Sequence, residues 1–124
     1  MLLPRPTGTP PIEMSFQWPE HGRPLNLGAV EPSEGQSLSA IVDELWLETL
    51  RVAKAVGLAS PARLQSIQLS WVSRGGRSSA RLFLGGNGTL DEMADAFRAQ
   101  FEAALAEHPP LRLPSGAGAA SLSN

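Results

Sequence analysis

The sequence predicts an α+β protein: a two-layer sandwich of a sheet under two helices, in the order β-α-β-β-α, with a final β if Leu111-Arg112-Leu113 adds a short strand. Three observations lead there. Residues 12–18 alternate apolar and polar side chains without a fault, and residues 64–84, folded about a double glycine, sort apolar from polar side chains onto opposite faces. Two further stretches, one starting near Ser37 or Ser39 and one at Thr89, repeat apolar residues at helical spacing. With 124 residues and 42% of them apolar, the chain suits one domain able to close its own core. Such a domain removes roughly two-thirds of its unfolded surface from water, so it needs no metal or disulfide to fold.

Residues 1–11 hold four prolines and no periodicity and read as a flexible Pro-rich arm. The folded domain is then 12–113, and 114–124 form a small-residue, disordered tail. In the first strand Ile12, Met14, Phe16 and Trp18 face the core, and Pro19 ends it. Residues 19–36 carry three prolines and three glycines and read as a long loop. A loop of that length is uncommon, so it either hides a short strand at Leu25-Asn26-Leu27 or has a role of its own.

The first helix buries Leu38, Ile41, Val42, Leu45, Thr49, Val52, Ala53 and Val56 on one face. Gly57 supplies a left-handed cap, after which Leu58 packs back on the last turn. Trp46, Leu47 and Leu50 widen the stripe beyond what one sheet can cover. A second helix, the loop or another copy of the chain would cover the excess, which makes these three the candidate self-association residues. The second helix opens with a capping box, Thr89-Leu90-Asp91-Glu92. Leu90, Met93, Ala94, Phe97, Phe101, Ala104 and Leu105 make one apolar stripe along it, and it stops at His108 before two prolines.

Between the helices, a two-residue turn at Gly75-Gly76 would pair Arg74 with Arg77. It puts Ile67, Leu69, Trp71 and Ser73 on one face with Ser78, Ala80, Leu82 and Leu84. Gln68, Ser70, Val72 and Arg74 share the other face with Arg77, Ser79, Arg81 and Phe83. With the last strand, this order would be similar to the ferredoxin-like split βαβ arrangement, a similarity of topology only.

Function classes narrow by exclusion. No cysteine means no disulfide framework, thiolate zinc site, iron–sulfur cluster or Cys nucleophile. His21 and His108 are too few for a His-based metal centre, so no cofactor or metal is expected. No apolar run reaches the ~20 residues of a membrane span, and Pro4 interrupts Met1-Leu2-Leu3 before a signal peptide can form; a soluble, cytoplasmic protein without a membrane partner is expected. The chain shows no GxSxG, HExxH or Walker pattern, and neither His has a spacing that assembles a nucleophile. Asp43-Glu44 and Asp91-Glu92 are neighbours that do not face one another on a helix, so neither pair is an acid/base dyad. Gly85-Gly86-Asn87-Gly88 leads into a helix start, but Asp91 and Glu92 already occupy that positive end, so it reads as a turn rather than a phosphate loop. A non-enzyme is the expectation.

What remains is charge placement. Net charge is −2, yet no acid occurs from Thr49 to Leu90, where Arg51, Lys54, Arg63, Arg74, Arg77 and Arg81 concentrate positive charge. Arg74 opposite Arg77 would place like charges across strands at a small cost to the fold. Arg81 lies on the same face near Val72 and Phe83. Guanidinium groups around an apolar spot suit an acidic protein surface or phosphates. The expected function is therefore protein binding, of an accessory, adaptor or inhibitor kind, through Arg74, Arg77, Arg81, Val72 and Phe83. The alternative is nucleic-acid binding through the basic 51–81 stretch. Ser79 and Arg81 stand where stacking rings would be needed, so that mode would rest on phosphate contacts alone.

Overall fold

The computed structural model describes residues 10–19, 21–33, 35–58, 64–84 and 89–111. Six elements follow one another: β1 (Ile12–Trp18), β2 (His21–Val30), α1 (Leu38–Ala55), β3 (Ser66–Ser73), β4 (Gly76–Phe83) and α2 (Leu90–Glu107). The strands form one antiparallel sheet in the order β2-β1-β3-β4. Both helices lie on one face of it, so the α+β two-layer architecture is as the sequence indicates. The chain is built as two like halves, β1-β2-α1 and β3-β4-α2, which meet where β1 pairs with β3. Most of the Pro-rich arm, the glycine turn at 85–88, Arg63 and the tail lie outside the described residues.

The alternation in β1 does what its period requires: Ile12, Met14, Phe16 and Trp18 are buried while Glu13, Ser15 and Gln17 are only half-covered. Ile67, Leu69 and Trp71 of β3 join them, and Ala80 and Leu82 of β4 pack at the margin. α1 closes this layer with Ile41, Val42, Leu45 and Val52, and α2 with Met93, Phe97, Phe101 and Leu105. Removing a ring such as Phe101 from this core would cost about 3–5 kcal/mol.

The helix ends follow the sequence signals. Ser37 Oγ accepts the Ala40 amide at 3.1 Å, and Gly57 takes a φ of +85° that lets Leu58 N–H reach Ala53 O at 2.9 Å. At α2 the capping box is complete: Glu92 N–H reaches Thr89 Oγ1 at 3.1 Å and Thr89 N–H reaches Glu92 Oε1 at 2.9 Å. Its other end is held by the Trp71 indole, whose Nε1–H donates to His108 O at 2.7 Å.

Two expectations are corrected. Residues 19–36 are not one long loop, because ten of them form β2, with Leu25-Asn26-Leu27 inside it. The ladder with β1 slips between Met14 and Ser15 and again between Phe16 and Trp18. Gly22, Pro24 and Gly28 signal a break in an interior strand, but an edge strand tolerates them: one side of its backbone needs no partner, and slips absorb the rest. The element order is therefore β-β-α-β-β-α. Because β2 and β3 both run antiparallel to β1, α1 links two parallel strands with β1 between them. That split unit is all that suggests a ferredoxin-like arrangement. Of the expected last strand, Pro110 bridges to Ser73 and Leu111 N–H donates to Val72 O at 2.8 Å; residues 112 and 113 lie outside the described set.

The hairpin turns at Arg74-Gly75, not at Gly75-Gly76. Gly76 has a φ of +125°, whereas Arg74 and Gly75 keep ordinary negative values. The glycine is needed at the position after the turn, a left-handed site that lets the strand re-enter the ladder. Ser73 thus faces Gly76, Trp71 faces Ser78, Leu69 faces Ala80 and Ile67 faces Leu82. The shift is by two residues, one full period of the strand, so every side chain stays on the face assigned to it. The cross-strand Arg74–Arg77 pair does not exist: Arg74 sits at the tip, and Arg77 faces Val72.

Candidate functional site

Among the described residues, the second face of the sheet carries no helix. Glu13, Ser15 and Gln17 of β1, Gln68, Ser70 and Val72 of β3, and Arg77, Ser79, Arg81 and Phe83 of β4 turn toward it. The hydrophobic half of each strand is used up by the helix layer, so this face is polar by construction. Four of the five residues expected at a partner surface share it: Val72, Arg77, Arg81 and Phe83. Arg74 stands beside them at the exposed hairpin tip.

The charges differ in how far they are engaged. Arg77 reaches across β3 to Glu13, with Nη2 3.1 Å from Oε1, and Asn26 Nδ2 donates to the same oxygen at 3.4 Å. Both partners of the ion pair are about half-exposed, so its worth is ~1 kcal/mol at most. Arg81 Nη2 donates to Gln68 Oε1 at 2.6 Å, and its guanidinium lies 5.5 Å from the centre of the Phe83 ring. Among the described residues no carboxylate pairs with Arg81 or Arg74. Phe83 is 72% exposed, an apolar ring held against a cation on an otherwise polar face. A groove of about 460 Å³ beside it is lined by Gln17, Gln65, Ser66, Phe83 and Leu84. Glu13 and Gln68 were not singled out from the sequence; the signal for both was their place on the polar side of the alternation.

The basic 51–81 stretch is not one patch. Arg51 lies in the helix layer, where Nε and Nη2 donate to the Glu48 carboxylate at 2.9 and 2.7 Å. Glu48 also accepts the Ala29 amide at 3.3 Å. Hydrogen bonding from Arg51 is the largest influence on Glu48; it outweighs the opposing effect of burial and holds the carboxyl below its ordinary range. Gly28 makes room for this arrangement, because a Cβ there would lie 2.9 Å from Glu48 Oε2. Arg74, Arg77 and Arg81 belong to the other side of the sheet.

The candidate self-association residues are also divided. Trp46 meets Phe97 edge to face at 5.1 Å, so α2 covers it, as one reading of the wide stripe allowed. Leu47 is 63% exposed beside β2, and Leu50 is half-buried. Leu47 lines a groove of about 410 Å³ with Val30, Glu44, Glu48 and Arg51.

Among the described residues no group of three or more His, Cys, Asp or Glu side chains could hold a metal, and no helix is long and apolar enough to cross a membrane. Compared with known proteins, the chain matches no family model, no curated protein and no solved structure. The class is set by architecture alone: a small α+β protein with one sheet face closed by two helices and the other turned outward.

Proposed function

We propose that the chain is a non-enzymatic protein-binding module whose uncovered sheet face, together with the hairpin tip, meets an acidic surface of another protein. The observation that carries this reading is the Arg81–Phe83 pair on β4, with Arg74 at the hairpin tip of the same strand pair. Together they offer two cations that pair with no carboxylate among the described residues and an exposed ring, on a rigid strand and turn. Rigid strands fix such groups in advance, which lowers the entropy cost of binding. Arg81 offers directional donors to a carboxylate while Phe83 supplies apolar area.

The test compares wild-type chain with the Arg74→Glu/Arg81→Glu double variant as immobilised bait in extract of the native host. Proteins retained by the wild type and lost by a folded double variant support the reading, and equal retention overturns it. Nucleic-acid binding has less in its favour, because Arg51 is engaged by Glu48 and lies on the other layer. Anisotropy of labelled RNA and DNA at low salt should stay flat; a rise with a steep salt slope would reverse that order.

A further inference from the structure

Strand β4 is the outer strand on its side of the sheet, and among the described residues nothing pairs with its free side. Its ladder with β3 runs unbroken through eight pairs. The strand contains no proline and no slip. Leu84 N–H donates inward to Gln65 O, and Val72 O accepts from Leu111 on the far side of β3. Alternation along the ladder therefore turns the N–H and C=O of Arg77, Ser79, Arg81 and Phe83 outward. These are four donors and four acceptors in one straight row, an open template for another strand.

We propose that the occupant is a second copy of this chain, joined β4 to β4 in antiparallel fashion about a two-fold axis at Ala80, so that two four-stranded sheets become one. Charge selects this register. With Ala80 opposite its own copy, Arg77 faces Phe83 of the other copy, Arg81 faces Ser79, and Ser78 faces Leu82. No arginine lies directly opposite another. A two-residue step in one direction sets Arg77 against Arg81, and a step in the other sets Arg81 against Arg81, both unfavourable. The selected register also places each exposed Phe83 ring opposite Arg77 of the other strand.

The helix layer fits the same occupant. Between Leu82 and α2 runs a groove of about 460 Å³ whose helix wall includes Ala96, Ala99 and Ala103, all exposed. In the joined sheet both α2 helices lie on one face beside the axis. Alanine walls allow them to approach toward the ~8 Å lower limit of helix packing. This inference goes beyond the proposed partner surface: it rests on the outer backbone of β4, which that reading does not use, while Arg77, Arg81 and Phe83 belong to both.

The test is the mass of the full chain by light scattering over concentrations up to about 100 μM, a range set by a micromolar dissociation constant. The expected mass is twice 13.2 kDa. Ser79→Pro removes an outward N–H that β3 does not use, and it should raise the dissociation constant at least tenfold with an unchanged circular dichroism spectrum. Ala103→Glu, on the helix wall, should weaken association without touching the strand. Ser15→Lys, in the middle of the sheet face, should leave it unchanged. A monomeric wild type overturns the proposal, as does a dimer that survives both Ser79→Pro and Ala103→Glu or one that Ser15→Lys dissolves.

Discussion

β2 and β4 occupy equivalent places at the two ends of one sheet, yet their outer sides are built on opposite principles. β2 carries Gly22, Pro24 and Gly28, slips twice against β1, and is fastened to α1 where Glu48 takes the Ala29 amide and Arg51. Each of these features discourages a further strand. From Arg77 onward β4 has none of them: its backbone is regular, and its charges rise from the sheet face rather than blocking its plane. The difference shows that sheet topology creates two edges but side chains and backbone breaks decide which one stays open.

The sharpest way to break that comparison uses proline within β4. Ala80→Pro removes an N–H that alternation turns toward β3, and urea unfolding should show a loss of about 2–4 kcal/mol. Ser79→Pro, one residue away, should cost less than about 1 kcal/mol, because its N–H points outward. Equal costs would mean that the outward row is misassigned. On the other edge, Gly28→Val forces a side chain into the Glu48 carboxylate and should destabilise by about 1–3 kcal/mol.

Glu48 itself gives a smaller, pH-dependent effect. Its carboxyl is held below the ordinary range in the folded state, so its contribution is fully present above the unfolded pKa and is lost as pH falls through the folded one. Glu48→Gln should flatten the acid limb of stability against pH by no more than one proton, about 1.4 kcal/mol per pH unit, and leave the slope above neutrality unchanged. The smallest effect belongs to β4 and its turn. Arg74→Glu and Arg81→Glu should change stability by less than about 0.5 kcal/mol, as neither pairs with a described carboxylate. A larger loss would mean that these arginines serve the fold.

Much of this was legible in the sequence, for reasons visible in particular residues. Strict alternation from Ile12 to Trp18 allows one facing only, and Thr89 with Glu92 specifies a helix start. The faces of the hairpin survived an error in its turn because Gly75 and Gly76 differ by one position while the pairing moves by two. What distinguished them was which glycine takes positive φ, a property of the closed ladder and not of the dipeptide. β2 was illegible because proline and glycine signal a loop unless the segment is known to lie at an edge, and that depends on strand order. The Glu13–Arg77 pair spans sixty-four positions and a whole intervening strand, so only the assembled register brings it together. Likewise Trp46 looked surplus until α2 brought Phe97 against it.

The repeated hairpin-plus-helix plan has a further meaning for this asymmetry. A molecule assembled from two similar modules meets the same exposure problem twice, once at each flank, and need not solve it the same way. Here one module blunts its flank with irregular backbone and a buttressing carboxylate, and its counterpart, among the described residues, keeps the regular edge where we propose the sheet grows.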